Sequence, residues 1–157
     1  FNTYGPRQSA RAIIPTIISQ ILNNKKNIKL GSTNPTRDFT YIEDTVNGFT
    51  SFINCKTSIG KTINIGSNFE TSILDIVEIV SDILGAKISI VTDKKRIRPK
   101  KSEVNRLISS NLKAKKLLSW SPKFKGSKGF KEGLKKTIEW FSKEENLKLY
   151  KANLYNY

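Results

Sequence analysis

Apolar residues in this chain fall into short runs of two different periods, separated by polar clusters. Between residues 10 and 24, Ile13, Ile14, Ile17, Ile18, Ile21 and Leu22 recur at helical spacing on one broad face. Pro15 is tolerated best in a first turn, so the spacing predicts a helix that starts at Ile13 or Ile14. Asn23-Asn24-Lys25-Lys26 would end it, with cations near the negative pole of the helix. Ile28–Leu30 reads as a short strand, followed by Gly31 and a turn through Asn34-Pro35. In "RDFTYIED" (37–44) the period changes to two: Phe39 inward, Thr40 outward, Tyr41 inward, as in a half-buried strand. Asp44 can then cap a helix running to about Asn54, with Val46, Phe49, Phe52 and Ile53 as its apolar positions.

The second half continues the alternation. "KTINIGS" (61–67) reads as a strand ending in glycine. Ser72 and Asp75 have the spacing of a capping box ahead of a helix with Ile76, Ile79, Val80 and Ile83, which Gly85 would stop at C′. "KISIV" (87–91) alternates like a strand, and 93–106 reads as a basic loop. Ser110 or Asn111 would cap a short helix to about Leu118, and Pro122 breaks the chain. A last helix is expected from about Phe130 to Lys143, with Leu134, Ile138 and Phe141 on one face. Residues 144–157 have no clear period and read as a poorly ordered tail. Helices alternating with strands indicate an α/β fold.

Composition narrows the function classes. The chain has 157 residues, a usual size for one domain, and no apolar run near the roughly 20 residues that a membrane helix needs. No signal peptide is visible. The chain starts with Phe1 and contains no methionine, so its N-terminus is expected to be a cut in a longer protein. The absence of histidine excludes a Ser-His-Asp triad, a Cys-His pair and a His-based zinc site within this chain. The single cysteine, Cys55, excludes an internal disulfide and is expected to be a small buried hydrophobe.

The formal net charge is +15, and between Lys94 and Lys136 only Glu103 and Glu132 are acidic. Such a surface can attract nucleic acid, but lysine far outnumbers arginine, and the chain is also rich in Ile and Asn, which fits an AT-biased genome. Base readout favours arginine and stacking favours exposed aromatics, and neither stands out among the basic residues. A basic nucleic-acid-binding module is therefore the lesser reading, and positive potential that attracts a phosphorylated ligand the greater.

Three groups of residues carry candidate chemistry. Gly126, Gly129 and Gly133 in "GSKGFKEG" superficially resemble a phosphate loop, but a dinucleotide fingerprint must follow an apolar strand, and "SWSPKFK" is not one. The stretch reads instead as a flexible lead-in to the final helix. Arg37 at a strand mouth could grip phosphate with paired N–H donors; spacing alone favours a local surface pair with Asp38, and both readings stay open. Arg98, Glu103 and Arg106 share one loop, where two arginines around an acid could hold a phosphate and a sugar hydroxyl, or form a solvated loop.

Seven segments bring these residues into a known order: "FNTYGPRQ" (1–8), "IIPTII" (13–18), "LG" with "RDFTYIEDTVNGF" (30–49), "NIGS" (64–67), "RPKKSEVNRL" (98–107), "NLKAKKLLSWSP" (111–122) and "GLKKTIEWF" (133–141). Together they resemble the C-terminal half of extended short-chain dehydrogenase/reductases acting on nucleotide sugars, most of all the 4,6-dehydratases, with the UDP-glucose 4-epimerases close by. The resemblance implies the C-terminal part of an extended Rossmann-type, NAD-binding fold with its small mixed α/β substrate-binding domain over residues 1–143.

It also implies roles. Asn2 would lie beside nicotinamide and sugar, with Thr3 next to it. Ala12 and Ile13 would pass the nucleotide with their backbone, and Lys29 and Leu30 would flank the base. Arg37 would contact the diphosphate, Asn64 would orient it, and the loop bearing Arg98 would close over the nucleotide, with Glu103 and Arg106 as further contacts. In the intact enzyme NAD would take a hydride from the sugar C4. A dehydratase would then lose water across C5–C6 and return the hydride at C6, whereas an epimerase would return it to the other face of C4. The resemblance further implies a cytoplasmic homodimer. Two family features are missing from this sequence: the Gly-x-x-Gly-x-x-Gly cofactor loop and the Tyr-x-x-x-Lys pair, since residue +4 is Gln8 after Tyr4, Thr45 after Tyr41 and Leu154 after Tyr150. The chain is therefore expected to carry the substrate side of a site without its catalytic groups, and to be inactive alone.

Overall fold

The computed structural model of the chain describes residues 1–53 and 55–150. One strand organises it. Strand β3 (Thr36–Tyr41) pairs through Phe39–Tyr41 with the parallel strand β1 (Asn2–Tyr4), and through Thr36–Asp38 with the antiparallel β4 (Glu70–Ser72). The short β6 (Arg106–Leu107) runs parallel beside Thr36 and Arg37. A separate parallel pair joins β2 (Asn27–Leu30) to β5 (Ser89–Thr92). Three helices enclose the core: α1 (Ile13–Leu22), α3 (Ile73–Leu84) and α5 (Gly126–Phe141). Their apolar faces meet through Ile14, Ile17, Ile18, Ile76, Val80, Leu134, Ile138 and Phe141, packed against Tyr4, Phe39 and Tyr41. The α/β expectation holds.

Local sequence accounts for the helix ends that it specified. Helix α1 starts at Ile13. Helix α3 carries a complete capping box: Ser72 Oγ accepts from Asp75 N at 3.0 Å, and Ser72 N donates to the Asp75 carboxylate at 3.0 Å. These bonds hold the Asp75 carboxyl below its usual range, the Ser72 hydroxyl contributing most. Gly85 ends the helix at φ 62°, a left-handed conformation that favours glycine.

Several expectations are overturned, each by a tertiary partner. Thr40 is buried like Phe39 and Tyr41, and its hydroxyl donates to the buried Asp38 Oδ1 at 3.4 Å. Helix α2 (Ile42–Thr50) begins after Tyr41, so Asp44 lies in its first turn and does not cap it. The Asp44 carboxylate instead accepts from Lys123 N at 2.7 Å and Phe124 N at 2.9 Å, while Trp120 Nε1 donates to the Asp44 carbonyl at 3.2 Å. That contact turns Asp44 and Gly48 inward and leaves Val46, Phe49 and Ile53 at 50, 67 and 78% exposure, the reverse of the apolar face expected. Asn54, the expected end of this helix, lies outside the described residues.

Residues 61–67 form no strand, since they pair with no other strand; Asn111 Nδ2 donates to Gly66 O at 3.0 Å instead. The expected flexible lead-in at 126–129 is the first turn of α5. Its glycines serve packing, because a Cβ at Gly129 would strike the Phe124 backbone and one at Gly133 the Tyr4 hydroxyl. Helix α4 (Leu112–Leu118) follows Asn111, whose side chain does not cap it. The tail is ordered as far as it is described: α6 (Glu144–Leu147) leads to Tyr150, whose ring packs on Phe141 and whose hydroxyl donates to Gln8 O at 2.8 Å. Residues 151–157 lie outside the described residues. Cys55 is half-buried rather than a core hydrophobe. Its thiol donates to Leu117 O at 3.2 Å, and a bond with Thr57 Oγ1 holds its pKa below the usual thiol value.

Asp38, expected beside Arg37, points to the other side of β3 and is fully buried. Its Oδ1 accepts from Ser67 N (2.9 Å) and Ser67 Oγ (2.6 Å), and its Oδ2 accepts from Asn68 N (2.9 Å), Ser109 N (3.0 Å) and Ser109 Oγ (2.6 Å). An amide cannot accept at both ends of this arrangement. Asp38→Asn should therefore cost about 3 kcal/mol or more, because buried N–H and O–H groups lose their acceptor. Urea unfolding of the two proteins measures it, and a loss below about 1 kcal/mol would show that the carboxylate is dispensable.

Candidate functional site: a cationic cleft under a basic strap

The ends of β1, β2 and β3 and the start of α1 surround an open cleft of about 480 Å³. Its floor and walls are Asn2 and Thr3 of β1, Ala12, Ile13 and Thr16 at the head of α1, Leu30 and Gly31 at the end of β2, Arg37 and Phe39 of β3, and Ile73 of α3. A strap formed by residues 93–105 crosses it and contributes Arg96, Arg98 and Glu103. Gln8 and Arg11 complete one side.

The charge of the cleft follows from how these pieces end. Helix α1 is entered through Ala12 in an extended conformation, with no side-chain cap and no acid in its first turn. The N–H groups of Ile13 and Ile14 therefore sit at a positive helix pole without a side-chain acceptor. Arg11, Arg37, Arg96 and Arg98 add guanidinium groups, against the single carboxylate of Glu103 among the lining residues. Ile13, Leu30, Phe39 and Ile73 add an apolar lining. Diphosphate joined to a flat ring would find both surfaces that it needs.

Arg37 is held from two sides. Nη1 donates to the Thr36 carbonyl at 2.8 Å, and Nη2 to Glu103 Oε1 at 2.9 Å, with side-chain exposures of 13 and 19% for the ion pair. The strap is tied down at its two ends: Asp93 N donates to Leu30 O at 2.7 Å, and Thr36 N donates to Asn105 O at 2.9 Å. Asp93 also accepts from Lys95 N and from Arg96 Nε, at 3.0 and 3.1 Å, and the Lys95 bond contributes most to holding its carboxyl below the usual range.

Asn2, Thr3, Ala12, Ile13, Leu30, Arg37, Arg98 and Glu103 all line this cleft, as the sequence suggested. Three other expected residues do not. Lys29 points away on the exposed face of β2, where strand alternation puts it, and Gln20 engages its backbone. Asn64 is exposed in the unpaired 61–67 segment, 3.5 Å from the Ser110 carbonyl. Arg106 forms an ion pair with Glu70, which in turn accepts from Thr36, on the outer side of the sheet. Sequence reasoning missed Gln8, Arg11, Gly31 and Arg96. Arg11 carried a signal, a cation immediately before a helix start; Arg96 carried little, because only the fold selects it from its basic neighbours.

Acid–base groups are scarce here. Tyr4 and Tyr41 do not line the cleft, and burial pushes both phenols up, Tyr4 far more than Tyr41. The Tyr4 hydroxyl donates to the Phe130 carbonyl at 3.1 Å. The cleft is thus equipped to bind and orient, with Glu103 as its one carboxylate.

A family model, GDP-mannose 4,6 dehydratase, matches residues 1–137 of the chain. The chain belongs to this family. Among curated relatives of this GDP-mannose 4,6 dehydratase family member, the uncharacterized UDP-glucose epimerase YtcB of Bacillus subtilis is 35% identical over 143 residues, 90% of this chain and 42% of that protein. The human dTDP-D-glucose 4,6-dehydratase is 32% identical over 142 residues, 89% of this chain and 39% of that protein. Among solved structures, the UDP-glucuronic acid 4-epimerase of Bacillus cereus, in complex with UDP-glucuronic acid and NAD, superposes with a TM-score of 0.77 at 30% identity, over 89% of this chain and 42% of that one. The family member described here therefore spans about two fifths of the length of the curated relatives it matches. Among its described residues no helix is long and apolar enough to cross a membrane.

Gly31 sets the distance between β2 and the strap. A Cβ there would strike the Arg96 carbonyl. Gly31→Ala should push the strap outward at a cost of about 1–3 kcal/mol. Amide hydrogen exchange over residues 93–105 checks this, with faster exchange expected and an unchanged rate counting against it.

Proposed function

We propose that this chain is the nucleotide-sugar-binding portion of an NAD-dependent nucleotide-sugar 4,6-dehydratase acting on a dTDP-, UDP- or GDP-hexose. The observation that carries this reading is the convergence of Arg11, Arg37, Arg96 and Arg98 with the uncapped head of α1 in one cleft that also has an apolar lining. Arg37 and Arg98 neutralise the diphosphate, and the backbone at Ala12 and Ile13 passes along it. Leu30 flanks the base, and Glu103 is placed to accept from a sugar hydroxyl. A UDP-glucose 4-epimerase is the second reading, supported by the similarity to YtcB. In either case the intact enzyme is read as a cytoplasmic homodimer.

The residues present fit NAD only at one margin. Asn2 lies at the polar edge of the cleft with Thr3 and Gln8. Gln8 Oε1 is a buried acceptor with no hydrogen-bond partner among the described residues, while its Nε2 donates to the Thr3 carbonyl at 2.7 Å. That edge suits the carboxamide end of the cofactor, and the rest of a dinucleotide would be held outside these residues. When bound, NAD accepts a hydride from the sugar and returns it. The chain's own share is to bind the diphosphate, orient the sugar and present the acceptor at Gln8; alone it is expected to show no dehydratase or epimerase turnover.

Titration of UDP and dTDP against the chain, followed by NMR, tests the reading. Arg37→Ala should weaken binding by about 1.5–3 kcal/mol, the scale of a charged hydrogen bond. Unchanged affinity would return Arg37 to a purely structural ion pair.

A further inference from the structure

The cleft already contains an anion of its own. Both terminal nitrogens of Arg37 are engaged, but their partners differ in kind: the Thr36 carbonyl belongs to the sheet, whereas the Glu103 carboxylate belongs to the strap. A phosphate that takes the Nη2 N–H now given to the strap replaces Glu103 there. We infer that Glu103 is an intramolecular competitor for Arg37, which weakens the binding of every phosphate ligand that takes this guanidinium. The inference rests on the diphosphate reading of the cleft given above and deepens it.

The surroundings make the exchange possible. Glu103 stands two residues before Asn105, whose carbonyl is fixed by Thr36 N, so it can swing about an anchored end without unpairing β6 from β3. A diphosphate replaces Glu103 at Arg37 while also meeting Arg98 and the head of α1, so its gain exceeds the one ion pair it breaks.

Inorganic pyrophosphate and inorganic phosphate isolate this effect, because neither carries a hydroxyl-bearing sugar that Glu103 could bind. Calorimetric titration of the wild-type chain, Glu103→Gln, Glu103→Asp and Glu70→Gln separates the outcomes. Glu70→Gln removes the same charge from a carboxylate that pairs with Arg106 outside the cleft. Glu103→Gln should bind pyrophosphate about tenfold more tightly, roughly one charge-assisted bond freed, and should also bind phosphate more tightly. Glu103→Asp should stay close to the wild-type affinities, and Glu70→Gln should change little. Three results would overturn the inference while leaving the diphosphate reading intact: wild-type chain that binds UDP but gains no pyrophosphate affinity from Glu103→Gln, an equal gain from Glu70→Gln, or Glu103→Asp behaving like Glu103→Gln. Failure of every variant to bind either UDP or pyrophosphate would overturn the diphosphate reading itself, and the inference with it.

Discussion

The buried carboxylate of Asp38 holds the sheet to the loops that shape the cleft. It sits on the central strand, where Phe39–Tyr41 are already committed to β1 and Thr36–Asp38 to β4. Five hydrogen bonds from Ser67, Asn68 and Ser109 converge on its two oxygens. These donors come from segments far apart in sequence, so one side chain fixes two loops against one strand. A buried charge is tolerated only when it is satisfied in this way, which makes the arrangement all-or-none rather than gradual.

The consequence for the cleft is geometric. Ser109 follows β6, and β6 follows the strap, so the bond to Asp38 fixes where the strap returns to the body. Because side chains alternate along a strand, Asp38 and its neighbour Arg37 point to opposite sides. One residue anchors the loop from behind while its neighbour faces the cleft from in front. Glu103, three residues before Arg106, is thereby carried to Arg37. The site is assembled from the start of a helix, the ends of strands and one strap, which is where an α/β sheet leaves room for a ligand.

Membership of the GDP-mannose 4,6 dehydratase family and the cationic cleft agree with one another, and the chain's length limits what they imply. It spans about two fifths of its relatives. The outward apolar positions of α2, Val46 and Phe49, belong to a helix whose inward face is given to Asp44 and Gly48. The same helix would look inverted to anyone reading period alone. It obeys the stronger demand, which is the pair of backbone N–H groups at Lys123 and Phe124 that need the Asp44 carboxylate.

What the sequence determined by itself was whatever local energetics decide. The capping box at Ser72 and Asp75, the left-handed stop at Gly85, the start of α1 at Ile13 and the apolar faces of α1, α3 and α5 depend on residues within a turn or two of one another. The order of short motifs also identified the family, and it singled out Arg37, Arg98 and Glu103, which line one cleft. Tertiary structure alone decided the rest. Residues 61–67 have strand character but no partner to complete the ladder, so no strand forms. Lys29 and Arg106 have the right neighbours in sequence and the wrong side of a strand in space. Asp44 and Asp38 looked like a cap and a partner for Arg37, and both were claimed by backbone donors more than 25 residues away. Charged and polar side chains follow the donors that burial would otherwise leave unsatisfied, and those donors are chosen by the fold, not by adjacency along the chain.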